Sequence, residues 1–162
     1  MRIQVGGRFV TRLLDRELGE ERISLYVPAF PIAAWLVDNW WTVLNEPAKD
    51  RESTPPRGEP FDSGWTWRHC LRAADSALLL PRLCLYFDGR GVCLEWQADD
   101  LSSCLNTPGC FPTAGTEHLP AAEVERALGA FIDTVLSRAN GLDDERAVTV
   151  RATWKEILDA TG

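Results

Sequence analysis

Histidine, lysine and methionine are nearly missing from this chain: 162 residues hold two histidines, two lysines and one methionine. Two histidines leave little material for a metal centre or a histidine-based catalytic triad. The familiar catalytic and nucleotide-binding motifs are missing as well. There is no G-x-x-x-x-G-K-[ST] phosphate loop, no G-x-G-x-x-G turn, no G-x-S-x-G elbow and no zinc-binding H-E-x-x-H. No cofactor and no metal are therefore expected. No apolar run reaches the ~18 to 20 residues that span a bilayer, so no membrane association is expected. The N-terminus, MRIQVGGRFVTRLLD, lacks a basic segment followed by an apolar core and does not read as a secretory signal. A soluble cytoplasmic protein is the expectation.

Basic charge is also scarce. Seventeen basic residues face 24 acidic ones, for a net charge of −7, and the excess is spread along the chain. Proteins that track phosphates need clustered Lys and Arg, because counterion release supplies much of their affinity. Only a local patch of Arg8, Arg12 and Arg16 hints at such a surface, so a nucleic-acid-binding regulator is the weakest functional reading. All but two of the bases are arginine, a bias associated with GC-rich bacterial genomes.

Five cysteines are present, Cys70, Cys84, Cys93, Cys104 and Cys110. An odd number without a leader reads as unpaired thiols in a reducing compartment. Cys84 and Cys93 lie in apolar segments, where a thiol behaves as a small hydrophobe. Cys104 and Cys110 flank a Pro-Gly turn, but with His118 they lack the short paired spacing of a zinc site.

The chain reads as one α+β domain over residues 1–162: an antiparallel sheet of hairpins packed against two to four helices. Strands are predicted over 2–5 and 9–14, joined at Gly6-Gly7, and from Ile23 to Val27. A helix follows from Pro31 to Leu44. Ile32, Leu36, Trp40, Val43 and Leu44 share one face, and Trp35, Val37 and Trp41 widen it. Residues 46–64, with four prolines and many charges, read as a long exposed loop. Trp65 to Ala74 fits a second helix with Trp67, Cys70, Leu71 and Ala74 inward. Arg82–Phe87 and Val92–Gln97 flank Asp88-Gly89-Arg90-Gly91 and form a predicted hairpin. Residues 99–116 read as irregular and Glu117–Leu119 as an edge strand. Helices are predicted over Pro120–Asn140, stopped by Gly141, and over about Asp143–Ala160.

One constellation stands out. On a helix, Arg68, Arg72 and Asp75 share a flank, with His69 beside them. Such a group is able to bind an anion or act as an acid–base pair. The plainer account leaves the arginines solvated or ion-paired, Asp75 closing the helix, and His69 bonded to a carbonyl. Asn39 is a second polar candidate, able to face the same cleft or to bond a nearby backbone. Seven tryptophans suit both cores and interface hot spots, and Trp35, Trp40, Trp41 and Trp65 are the candidate interface residues.

Two segments, YVPAFPIAAWLVDNWWTVLNEP and WTWRHCLRAADSALLLPRLCLYFDGRGVCLEW, carry a family look. The matching positions are Pro31, Ala33, Trp35, Asn39, Trp40, Trp41, Glu46, Pro47, His69, Leu71, Ala73, Pro81 and Trp96. This region, about residues 26–97, resembles the one that precedes the peptidase domain in some bacterial ImmA/IrrE-type zinc metallopeptidase proteins. Since H-E-x-x-H is absent, peptidase activity does not carry over. The resemblance implies an accessory or sensing module of a stress-response, mobile-element or phage-defence system. The leading expectation is a non-enzymatic interaction module with a protein partner, such as an operon-encoded effector or peptidase. The alternative is a small enzyme or ligand-binding domain built on His69, Arg68, Arg72 and Asp75.

Overall fold

A Gly-centred turn starts the chain: Gly7 has φ +79°, a value glycine adopts without steric cost. It joins β1 (Gln4–Val5) to β2 (Arg8–Phe9) as a small antiparallel ladder. The computed structural model describes residues 2–5, 7–23, 27–47, 64–71, 80–100, 109–139 and 144–161. Most of the expected 46–64 loop, together with Arg72, Asp75, Cys104 and Gly141, lies outside the described residues.

The middle of the predicted strand at Ile23–Val27, residues 24–26, lies outside the described residues. Just before it β3 (Leu13–Asp15) pairs with β4 (Glu20–Arg22), and Ile23 is a bend. The turn between these strands is built locally. Asp15 Oδ1 accepts the backbone N–H groups of Glu17 and Leu18 at 3.1 and 3.2 Å, and Gly19 takes φ +65°. Local turn chemistry therefore sets the register of this hairpin. Thr11, fully buried, ties the two hairpins together. Its hydroxyl accepts from Ile3 N at 3.1 Å and donates to the Ile23 carbonyl at 2.9 Å.

The single predicted helix at 31–44 is two helices, α1 (Ala29–Asp38) and α2 (Trp40–Asn45), broken at Asn39. The break resets the helical phase. Ile32, Leu36, Trp40, Val43 and Leu44 remain buried as expected, but Trp41 is 66% exposed. Helix α3 (Gly64–His69) is shorter than predicted. At Cys70 the chain leaves the helix and forms an antiparallel bridge with Cys84, and Leu71 N donates to Leu83 O at 2.8 Å. The inner face of α3 also differs from the expected one: Trp65, Thr66 and His69 are buried while Trp67 is 53% exposed.

The strongest hairpin signal holds. Strands β5 (Arg82–Phe87) and β6 (Val92–Gln97) pair over their full length. At their turn Asp88 Oδ1 accepts from Arg90 N and Gly91 N at 2.8 and 2.9 Å, and Gly89 takes φ +91°. Residues 99–116 are not wholly irregular. They supply β7 (Asp99–Asp100), β8 (Gly109–Phe111) and the start of β9 (Gly115–Leu119). Tertiary pairing explains this: β8 lies between β3 and β7, and Phe111 is 1% exposed. Strand β9 pairs with β6, giving a three-stranded order of β5-β6-β9.

Helices α4 (Ala121–Arg138) and α5 (Glu145–Thr161) close the fold. Both contact α1. Trp40 meets Trp154 edge to face at 4.9 Å, and Trp154 Nε1 donates to Asp133 Oδ1 at 2.7 Å. Asp38 pairs with Arg146, and Arg151 Nη1 donates to the Ala139 carbonyl at 3.0 Å, just past the end of α4. The described residues thus form an α+β fold of five helices and three antiparallel sheets. Among them no helix is long and apolar enough to cross a membrane.

The cysteine reading is corrected: Cys70 and Cys84 form a disulfide. Opposed positions across an antiparallel bridge bring two Cβ atoms within bonding range, and a spacing of 14 residues in sequence does not reveal that opposition. Cys93 and Cys110 are buried outside any disulfide. Thiol titration of the purified protein, unfolded without reductant, should accordingly count three of its five cysteines. A count of five would mean that the bridge is open.

A second expectation concerns Gly115, where a Cβ would lie 2.4 Å from the Trp96 ring. Gly115→Ala should lower the unfolding free energy by about 1–3 kcal/mol, read by urea titration.

Candidate functional site

Three elements converge where α2 ends. The Phe87 N–H of β5 donates to the Glu46 carbonyl at 3.1 Å, which brings the Glu46 side chain over α3. There Arg68 grips it with two bonds, Nε to Oε2 at 3.1 Å and Nη2 to Oε1 at 2.6 Å. Such a fork fixes direction as well as charge. His69, on the same turn of α3, is fully buried. Its Nδ1 lies 2.7 Å from the Leu85 carbonyl, which only accepts, so Nδ1 carries the proton. The neutral ring therefore presents a bare lone pair at Nε2. That atom has no hydrogen-bond partner and sits 3.6 Å from Glu46 Oε2.

Aromatic packing completes the joint. The Trp65 ring stacks on His69 at 4.5 Å and tilts against Tyr86 at 5.8 Å. Trp65 also packs with Cys70 and Cys84 in a small cluster apart from the main core. The charges follow from this geometry. Arg68 hydrogen bonding holds the Glu46 carboxyl below its ordinary range, opposed by partial burial. Burial holds the His69 imidazole below its ordinary range, against the opposing pull of the Leu85 carbonyl and Glu46.

Arg68 and His69, two of the sequence candidates, do meet here, but the joint is sealed. His69 exposes no surface to a substrate, and Arg68 is committed to Glu46. Glu46 is the residue that site reasoning passed over; its polar end lies at the edge of a proline-rich stretch, and only the fold reveals its partners. Asn39 does not join the group. Its Nδ2 donates to the Trp35 carbonyl at 2.9 Å, which caps the break between α1 and α2. This is the backbone bond that its position allowed.

The candidate interface list is corrected in the same way. Trp35, Trp40 and Trp65 are buried in the core, at 9%, 8% and 5% exposure, and only Trp41 is presented outward. Burying an indole removes a large apolar surface from water, which favours the interior wherever its N–H finds an acceptor; Trp35 Nε1, for instance, reaches the Trp67 carbonyl at 3.4 Å. Trp67, placed inward by the expected helix register, is the second outward tryptophan. His118, considered with the cysteines for zinc, instead bonds Asp88 Oδ2 through Nδ1 at 2.5 Å. The backbone N–H of Arg90, then His118 and Gly91, bring the Asp88 carboxyl down to about 2. Among the described residues no group of three or more His, Cys, Asp or Glu is placed to hold a metal ion.

The His69 joint makes a pH prediction. Its folded value lies below the ordinary 6.5, so the unfolded chain binds the proton more readily between the two values. Stability is then complete above about 6.5 and falls as pH drops toward the folded value, by at most about 1.4 kcal/mol per pH unit. His69→Asn keeps an N–H donor for Leu85 and should flatten that slope between pH 6.5 and 5, read by urea unfolding of both proteins. Equal slopes would remove His69 as the titrating group.

No family model, curated protein or solved structure matches the chain.

Proposed function

We propose that the chain is a non-enzymatic interaction module of a bacterial stress-response or phage-defence system. Its α2–α3 corner docks a protein partner, an operon-encoded effector or peptidase of the ImmA/IrrE type. One observation carries this reading. Trp41 and Trp67 stand 66% and 53% exposed on neighbouring helices, while Trp35, Trp40, Trp65, Trp96 and Trp154 are all buried.

Exposed indoles are costly in water and become anchors when a partner covers them. Rigid presentation matters too, because immobilising a side chain on binding costs affinity. Both helices meet this condition. The Arg68–Glu46 fork ties α3 to the end of α2, and the Cys70–Cys84 bridge ties the end of α3 to β5. The resemblance of residues 26–97 to the region ahead of ImmA/IrrE-type peptidase domains supports the choice of partner. A catalytic role for His69 finds no comparable support, since that ring is sealed from solvent.

Co-expression with the product of the neighbouring gene tests the proposal. The tagged chain should retain that product, and the double variant Trp41→Ser/Trp67→Ser should bind it at least about tenfold more weakly. Its thermal midpoint should move by no more than about 2 °C, because both side chains are exposed. Retention by the double variant, or no retention by the native chain, would overturn the docking corner.

A further inference from the structure

We infer that the inner face of the β5-β6-β9 sheet carries a binding site for a medium-chain aliphatic molecule with an uncharged polar end. A cavity of about 410 Å³ lies there, between the sheet, β1, α1 and α4. That volume falls within the range of small-molecule sites.

The walls decide the chemistry. Leu83, Leu85 and Leu94 come from the paired strands β5 and β6, with Leu85 directly opposite Leu94. Ile32 and Leu36 of α1 and Val124 of α4 complete the floor, and all six belong to the buried core. Ile3, Leu71, Leu119, Leu128 and Phe131 also line the cavity and keep part of their apolar surface accessible. Protein interiors leave few voids larger than a water molecule, so a hollow of this size set into a core calls for an occupant. Water is a poor one, because apolar cavities stay dry and admit apolar molecules.

Two observations select the ligand. The first is an orphan count: among the described residues, the buried side-chain nitrogens without a partner are those of Trp65, His69 and Trp96, and none of these residues lines the cavity. The buried part of a ligand thus meets no side-chain donor or acceptor in want of a partner, and hydrocarbon matches such a wall. A hydroxyl carried to that depth would lose its own hydrogen bonds. The second is the placement of charge. Arg2, Gln4 and Glu123 supply the polar lining, and all three are exposed. The polar end of a ligand therefore stays at the wet margin, where one residue of each sign favours neither an anion nor a cation over a neutral group. Aromatic ligands gain from stacked and edge-to-face contacts. A lining of leucine, isoleucine and valine with one phenylalanine offers few of them.

Nuclear magnetic resonance of the full chain, labelled with ¹³C at the isoleucine δ1 methyls, carries its own controls. Ile3 and Ile32 line the cavity, whereas Ile23 and Ile157 do not. 1-Octanol should shift the Ile3 and Ile32 methyls, saturate them below about 1 mM, and leave Ile23 and Ile157 in place. From 1-hexanol to 1-octanol each added methylene should tighten the midpoint about fourfold. 1,8-Octanediol, with a hydroxyl at both ends, should bind at least about tenfold more weakly than 1-octanol. Ala127→Trp, at an exposed position of the lining, should weaken 1-octanol about tenfold or more. Its thermal midpoint should move by no more than about 2 °C. Unmoved Ile3 and Ile32 methyls up to the solubility of 1-octanol, equal shifts at all four isoleucines, or a midpoint independent of chain length would overturn the site. So would unchanged binding by Ala127→Trp. Tighter binding of octanoate than of 1-octanol would overturn the uncharged end. Ile3 and Ile32 methyls that shift with protein concentration alone, and not with 1-octanol, would replace the ligand by a second copy of the chain.

Discussion

A single carboxylate organises the middle of this fold. Glu46 ends α2, its carbonyl receives β5, and its side chain is held by Arg68 while standing 3.6 Å from the His69 lone pair. A pair of this kind is strong because both ends are directed, and costly to disturb because its neighbours are buried. His69 cannot turn without abandoning the Leu85 carbonyl, and α3 cannot shift without opening the Arg68 fork. The position of Trp67, and with it the proposed docking corner, depends on this joint.

The tryptophans divide according to what their surroundings offer. Trp40 and Trp154 meet edge to face, with Gly129 packed close to both rings. Trp65 covers the His69 imidazole, and Trp96 lies on Gly115. Trp40, Trp65, Trp96 and Trp154 thus each rest on another ring or against a glycine. Trp41 has no such recess. The interruption at Asn39 changes the helical phase by local hydrogen bonding, and a side chain that a continuous helix would have turned inward faces outward.

Part of this architecture was legible in the chain. Asp88-Gly89-Arg90-Gly91 encodes its own turn, because one aspartate oxygen satisfies two backbone N–H groups and a glycine supplies the left-handed angle. Val124, Leu128, Phe131, Ile132 and Val135 recur at helical spacing in α4, where Val124, Ile132 and Val135 are buried and Leu128 and Phe131 partly so. Of the site, Arg68 and His69 were legible as a pair, though not as a sealed one. Glu46, separated from Arg68 by 22 residues, could be joined to it only by the fold.

The division between the two follows the range of the interactions. Hairpin turns, helix faces and the α+β class arise from contacts a few residues apart, so the sequence by itself determined them. The length of α3, the strand at Gly109–Phe111, the Cys70–Cys84 bridge and the inward or outward facing of each tryptophan were decided by tertiary structure. In each of these a distant segment supplied the hydrogen bonds or the covering surface. Cys70 left its helix because β5 offered an extended partner, and Gly109–Phe111 became a strand because β3 offered an open edge. Backbone groups need partners wherever water is excluded, and where those partners lie far along the chain, local propensity gives way.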